Sequence, residues 1–122
     1  MPVPIMRLGR TLIAPLHGEL TDSSWARLAE LLLRTAAESR AKGLVLDVSR
    51  MDILDSFAGR TLSNIAKMMR LRGVSTVVVG IQPDVAMAMV QLGLHLDGAQ
   101  TSLDLDEALS LLNKQRTSEP HG

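Results

Sequence analysis

The stretch "GLVLDVSRMDILDSFAGR", residues 43–60, contains the clearest indications of the fold. It begins with an apolar run that one acid, Asp47, interrupts, which is typical of a strand buried on both faces of a sheet. It ends in "DSFAGR", the start of an amphipathic segment that Gly73 closes. Asp55 and Ser56 stand between the predicted strand and the predicted helix, and both residue types can cap a helix. The stretch therefore predicts a strand–loop–helix unit with a serine at its junction.

The flanking segments also alternate between strand and helix patterns. Short strands are predicted around Gly9 and Arg10, at residues 74–81 and at residues 99–103, and helices at residues 18–43, 82–94 and 104–116. The first helix should begin near Thr21, Asp22 and Ser23 and end at Gly43. The order β-β-α-β-α-β-α-β-α predicts a single α/β domain with a mixed β-sheet of about five strands and four helices.

Composition favours one compact domain and excludes several classes of protein. The chain has 122 residues, of which 46% are hydrophobic and only 2% aromatic. We assign residues 1–116 to the domain and residues 117–122 to a polar C-terminal tail. Thirteen basic residues balance thirteen acidic ones and cysteine is absent, so neither nucleic acid nor a disulfide framework is indicated. No apolar stretch is long enough for a membrane span, and we expect a cytoplasmic protein.

No pattern in the sequence indicates catalysis, a metal or a cofactor. His17, His95 and His121 are far apart, and no phosphate-binding loop is present. Asp47 sits where a receiver domain has its phosphoacceptor, but the acidic pair and the lysine that such a site requires are missing. We therefore expect a protein without catalytic residues, metal ligands or cofactors.

Ser56 is the candidate for regulation. It follows a central strand and lies among the acids Asp47, Asp52 and Asp55, beside Phe57. A phosphate there would meet a helix N-terminus, which tolerates negative charge, and would add about −1.5 to −2 charges to the surface. The simpler alternative, that Asp55 or Ser56 only caps the helix, is left open by the residues alone.

The element order with "DILDSFAGR" after the third strand resembles the STAS domain of anti-sigma factor antagonists. The segments "LIAPLHGELTD", "GLVLDVSRMDILDSF" and "VVVGIQPDVAMAMVQLGLHLDGAQTSLDLDEALSLL" look like the stressosome branch, of the single-domain RsbS type, over about residues 4–113. Soluble antagonists usually carry Asp-Ser-Ser-Gly at the switch. The departure here, "DSFAG", favours the stressosome type.

The resemblance implies a non-catalytic scaffold of the general stress response. Such a scaffold assembles with itself and with paralogous STAS proteins that carry sensory domains, and it holds a switch serine/threonine kinase. Ser56 matches the phosphorylated serine, and a phosphatase would reset it. The residues expected to form the partner-binding surface are Asp52, Asp55, Phe57 and Gly59. Thr21 lies near a second phosphorylation site of a paralogous scaffold, but the RsbS type generally uses one. The alternative is a stand-alone antagonist that binds an anti-sigma kinase directly.

Overall fold

The computed structural model describes residues 4–18, 20–51 and 54–118. The elements are, in chain order, β1 (Met6–Leu8), β2 (Thr11–His17), α1 (Asp22–Ser39), β3 (Gly43–Arg50), α2 (Ser56–Leu71), β4 (Ser75–Val79), α3 (Pro83–Leu92), β5 (Ala99–Ser102) and α4 (Leu105–Ser118). Within these residues, five strands form one sheet in the order β1-β2-β3-β4-β5. The predicted α/β class and element order are confirmed.

The sheet is mixed, because only its first pair is antiparallel. β1 and β2 form the predicted hairpin, with Met6 opposite Ile13. β2, β3, β4 and β5 are parallel neighbours. Parallel strands end at the same side of a sheet. We call the side where these four strands end the carboxyl edge and the side where they begin the amino edge.

Helices cover both faces of the sheet, so its central strands are buried on both sides. α1, α2 and α3 pack on one face, where the larger core cluster includes Leu44 and Leu46 of β3. α4 covers the other face through Ala108 and Leu112, against Val45 and its neighbours. Leu44, Val45 and Leu46 are all fully buried. This confirms the double burial that the apolar run predicts.

One predicted boundary is wrong, because α1 ends at Ser39 rather than at Gly43. Arg40 caps the helix in the left-handed conformation, at φ 53°. The amide of Ala41 donates to the carbonyl of Ala36 at 3.0 Å, which closes a Schellman motif with an arginine where glycine is usual. Gly43 instead opens β3, where an added Cβ would lie 3.0 Å from Leu112 Cδ1. Its small size serves packing rather than helix termination.

The remaining boundaries differ from the predictions by a few residues. α2 stops as predicted, with Gly73 at φ +75° after it. β4 is shorter than residues 74–81, and β3 continues to Arg50. α4 ends at Ser118, inside the segment assigned to the tail, and residues 119–122 of that segment lie outside the described residues.

Candidate functional site

Asp55 and Ser56 have separate roles at the start of α2. Asp55 is the N-cap residue, and its Oδ1 accepts a hydrogen bond from the amide of Ala58 at 2.8 Å. Ser56 is the first helical residue and is partly exposed. Among the described residues its hydroxyl has no hydrogen-bond partner. Of the two residues that could cap the helix, Asp55 is the one that does so, and the hydroxyl of Ser56 is not used for capping.

Buried apolar side chains anchor the loop that leads from β3 to Ser56. Met51 and Leu54 belong to the larger core cluster, at 2% and 4% exposure. The amide of Met51 also donates to the carbonyl of Val48 at 3.0 Å. Both ends of the loop are thereby held to the core, which fixes where α2 begins. Asp52, a predicted partner-binding residue, lies outside the described residues.

Asp47 shapes the end of β3. Its Oδ1 accepts hydrogen bonds from the amide of Ser49 at 2.9 Å and from the hydroxyl of Ser49 at 2.7 Å. The carboxylate is thus engaged by a residue of its own strand.

The loop after β4 packs directly against the end of β3. Gln82 Nε2 donates to the carbonyl of Ser49 at 2.6 Å. A Cβ added to Gly80, at φ +79°, would lie 2.7 Å from Ser49 Cβ. The strand and helix patterns of residues 74–94 did not predict these contacts of Gly80 and Gln82 with Ser49. The one hint in the sequence is that Gln82 occupies an N-cap position, where Ser, Thr, Asp or Asn is usual.

Phe57 and Gly59 differ in what they present to a partner. Phe57 keeps 37% of its surface exposed beside Ser56. Gly59 is buried, and an added Cβ would lie 3.7 Å from Leu94 Cδ1. In the next turn of α2, the hydroxyl of Ser63 donates to the carbonyl of His95 at 3.0 Å. The segment after α3 therefore packs on the first turns of α2. Gly59 can shape the surface only by leaving room for that segment.

Thr21, the threonine near the start of α1, is already engaged. It is the N-cap of α1, and its Oγ1 accepts from the amide of Ser24 at 3.2 Å. The same oxygen donates to the hydroxyl of Ser24 at 3.0 Å. A phosphate on this oxygen would have to replace the cap, whereas at Ser56 it would displace no hydrogen bond of the described residues.

Acidic side chains gather at the carboxyl edge because the helices begin there. Asp55 and Asp104 each accept a hydrogen bond from an amide of the helix that follows. Asp22 and Asp84 occupy the first turns of α1 and α3. Negative charge is favourable at these helix starts. Arg60 lies four positions after Ser56 on α2 and is exposed, so it can face a negative group at Ser56.

In the part of the chain that the structure describes, no group of three or more His, Cys, Asp or Glu side chains could hold a metal ion. Of the three histidines, His17 and His95 are exposed and His121 lies outside that part. None of the helices in residues 4–18, 20–51 and 54–118 combines the length and the hydropathy of a membrane span.

The family profile of the STAS domain matches residues 3–108. The chain belongs to the STAS domain family. Two solved STAS structures resemble it over nearly the whole length of both chains. A serine-to-glutamate variant of RsbS from Moorella thermoacetica is 32% identical with a TM-score of 0.81, over 96% of this chain and 99% of that one. A chain from a solved structure of the stressosome is 33% identical with a TM-score of 0.79, over 93% of this chain and 98% of that one.

This chain is also similar to part of a longer protein. The RsbT co-antagonist protein RsbRD of Bacillus subtilis is 29% identical over 98 residues, which is 80% of this chain and 35% of that protein. The chain thus spans about a third of the length of this curated relative. Family, solved structures and relatives together confirm the predicted resemblance to STAS proteins of the stressosome and of the anti-sigma factor antagonist family.

Proposed function

We propose that this STAS protein is a non-catalytic scaffold subunit of a stressosome, switched by phosphorylation of Ser56. A switch serine/threonine kinase would bind the unmodified surface, phosphorylate Ser56 and be released to signal in the general stress response. A phosphatase would reverse the modification. The partners in the assembly would be further copies of this chain and longer STAS paralogues with sensory domains.

The observation that carries the proposal is the division of roles between Asp55 and Ser56. Asp55 caps the helix by accepting the amide of Ala58 at 2.8 Å. Modification of the Ser56 hydroxyl would therefore leave the capped amide with its hydrogen-bond acceptor. A phosphate at the first helical position lies near the positive end of α2, where it costs the fold little. The modification would then change the charge of a surface and leave the fold as it is.

The surface around Ser56 has the mixture of features that a charge switch requires. Phe57 supplies apolar area that a partner can bury, at 37% exposure. Asp55 is exposed and negative, so a phosphate next to it would add to charge of the same sign. We include Asp52 and Gly59 in this partner-binding surface, Gly59 through the packing of Leu94.

Similarity to known proteins supports the switch serine and the paralogous partners of the proposal. The RsbS of Moorella thermoacetica was solved with a serine replaced by glutamate, the substitution that imitates a phosphoserine. The relation to a RsbT co-antagonist supports the paralogous partners. Both observations concern those proteins, and their extension to this chain is part of the proposal.

The test compares a charged and an uncharged replacement of Ser56. Ser56→Asp should fold as the unmodified protein does, yet bind the kinase more than about tenfold more weakly, because like charges placed together at an interface are costly. Ser56→Ala should bind the kinase and fail to release it in the presence of ATP. Binding is measured by titration calorimetry, and folding by circular dichroism and urea unfolding.

A matched control places the same charge elsewhere. Ser110 is exposed on α4, on the opposite face of the sheet. Ser110→Asp should leave kinase binding unchanged. The proposal fails if Ser56→Asp unfolds, if it binds like the unmodified protein, or if peptide mapping after incubation with kinase and ATP places the phosphate on another residue.

Assembly distinguishes the scaffold from a stand-alone antagonist that binds an anti-sigma kinase directly. The scaffold should form large particles when it is mixed with a longer STAS paralogue, and light scattering measures their mass. A one-to-one complex with the kinase, and no particles with any paralogue, would favour the antagonist.

A further inference from the structure

The helix that begins at Ser56 carries positive charge and no acid of its own. α2 contains Arg60, Lys67 and Arg70, and neither aspartate nor glutamate. Arg60 is the cation of this helix that comes first after Ser56 in the chain. Lys67 follows about two helical turns after Arg60. A negative group on Ser56 would therefore lie near one cation of α2, which is Arg60.

The cations of α2 differ in how far the fold already uses them. Arg70 donates to the carbonyl of Gly98 at 3.2 Å. Lys67 packs along the same glycine, where an added Cβ would lie 3.2 Å from Lys67 Cγ. Arg60 is exposed, and among the described residues its side chain makes no hydrogen bond and no ion pair. Its guanidinium is thus available to a group that the unmodified domain does not contain.

The first helix shows what the spacing of Ser56 and Arg60 permits when an acid is present. On α1, Nη2 of Arg34 lies 3.1 Å from Oε1 of Glu30, four positions earlier. Ser56 and Arg60 have the same spacing and the same order on α2. Side chains four positions apart lie on one face of a helix, and the pair is more favourable when the acid precedes the cation.

A phosphoserine has the reach of a glutamate and more charge. From Cβ, the same number of bonds leads to the outer oxygens of a phosphoserine and to the carboxylate oxygens of a glutamate. The phosphate carries about −1.5 to −2 charges, so it attracts a guanidinium more strongly than a carboxylate does. A guanidinium can also donate two parallel hydrogen bonds to a phosphate. Phosphorylation of Ser56 would thus create on α2 the pair that Glu30 and Arg34 form on α1.

Other groups around Ser56 offer less to a phosphate. In the first turn of α2, the amides of Ala58 and Gly59 already donate to the side chain and the carbonyl of Asp55, at 2.8 and 2.9 Å. The exposed carboxylate of Asp55 would repel a phosphate. Neighbouring elements at this edge contribute Asp47 and Arg50 of β3, Asp84 of α3 and His95 after α3.

We propose that Arg60 pairs with the phosphate on Ser56 and holds it along α2, so that the domain itself stabilises its modified state. This inference rests on the proposed function, because it requires a phosphate on Ser56. A phosphatase would have to break the pair before it hydrolyses the phosphate. Arg60 would thereby slow the resetting of the switch and prolong the release of the kinase.

Phosphorus NMR of the full chain tests the pair, with phosphoserine encoded at position 56 during synthesis. A guanidinium beside the phosphate favours its dianion and lowers its second pKa, which is about 6 without such a neighbour. Arg60→Gln should raise this pKa by about 0.3, the size expected of an exposed pair at this spacing. Arg60→Lys should keep at least half of the effect, because it keeps the charge. In about 1 M salt the difference should shrink, since the pair is exposed.

Two control variants separate the pair from the general field of the protein. Arg50→Gln removes the exposed arginine at the end of β3, and Arg27→Gln removes an exposed arginine of α1. Each should change the pKa of the phosphate by less than about 0.1. Without the phosphate, Arg60→Gln should unfold at the same urea concentration as the parent chain, because Arg60 has no partner among the described residues.

A second readout measures the resetting of the switch. A purified broad-specificity serine/threonine phosphatase should remove the phosphate about twofold faster from Arg60→Gln than from the parent chain. The proposal is overturned by an unchanged pKa in Arg60→Gln, by an equal rise in either control variant, or by equal rates of dephosphorylation. A kinase that leaves Ser56 unmodified would contradict the proposed function alone, because the encoded phosphoserine reports on the pair in either case.

Discussion

Acidic helix caps lie at the carboxyl edge of the sheet and a cleft lined by Arg10, Arg40, Lys42 and Arg72 lies at the amino edge, and the two groups of charges differ in how far they are used within the fold. At the carboxyl edge, Asp55 and Asp104 accept amides of the helices that they precede, at 2.8 and 2.9 Å. At the amino edge, the cations of the cleft have no partner in the described part of the chain, while backbone amides satisfy the helix carbonyls. Helix polarity sorts the charges to the two edges. Neither the hydroxyl of Ser56 nor the cations at the amino edge take part in helix capping. These groups are therefore available to partners and ligands.

The largest effect is expected from Gly80→Ala at the carboxyl edge. The new Cβ would lie 2.7 Å from Ser49 Cβ, and alanine would be forced to φ +79°. Together these should lower the free energy of unfolding by about 2–4 kcal/mol, as measured by urea denaturation. Gly43→Ala is the matched change at the amino edge. Its Cβ meets the flexible end of Leu112 at 3.0 Å, and we expect a loss of about 1 kcal/mol. A larger loss for Gly43→Ala than for Gly80→Ala would contradict this account of the two edges.

A smaller loss is expected from Asp55→Ala. Removing the cap leaves the amide of Ala58 without its 2.8 Å acceptor and should cost about 1 kcal/mol in urea unfolding. Asp55→Asn should keep most of the stability, since asparagine is an equally good cap. Ser56→Ala should change the stability by less than about 0.5 kcal/mol, because its hydroxyl has no partner among the described residues. If Ser56→Ala cost as much as Asp55→Ala, both residues would be caps, and the separation of roles would be lost.

The smallest effect is a gain in stability from Arg40→Gly at the amino edge. Arg40 is held at φ 53°, and relief of that conformation, less the greater flexibility of unfolded glycine, should raise the free energy of unfolding by about 0.5–1 kcal/mol. Arg72→Gly is the control, since Arg72 caps α2 at φ −98°, where glycine gains nothing. It should lower the stability by about 0.5 kcal/mol. A loss of stability in Arg40→Gly would mean that the side chain of Arg40 stabilises the fold itself.

Much of the fold could be predicted because local patterns and packing agree. The apolar run of β3 is buried on both faces, and the stripe of α2, from Ala58 to Met69, lies in the core. Pro83 and Gly93 begin and end α3 as their backbone preferences indicate. The end of α1 could not be predicted, because an arginine adopts the conformation that glycine usually does, and Gly43 is small for the sake of α4.

The sequence indicates the candidate serine, whereas the contacts that hold its surroundings are visible only in the structure. Ser56 stands out in the sequence because it follows a buried strand and begins a helix among acids. The contacts of Gln82 with Ser49 and of Ser63 with His95 join residues about 30 positions apart, a separation that short-range patterns cannot reveal.

The sequence by itself determined the order of the elements, the double burial of the sheet and the candidate serine, because hydrophobic period and capping chemistry are local properties of the chain. Only the tertiary structure decided that Asp55 is the cap and Ser56 is not, since both residues are suited to that role and the backbone geometry selects one. It alone also brought Arg10, Arg40, Lys42 and Arg72 to one cleft. They come from a hairpin turn, two helix ends and a strand start, and parallel strand pairing places these segments side by side.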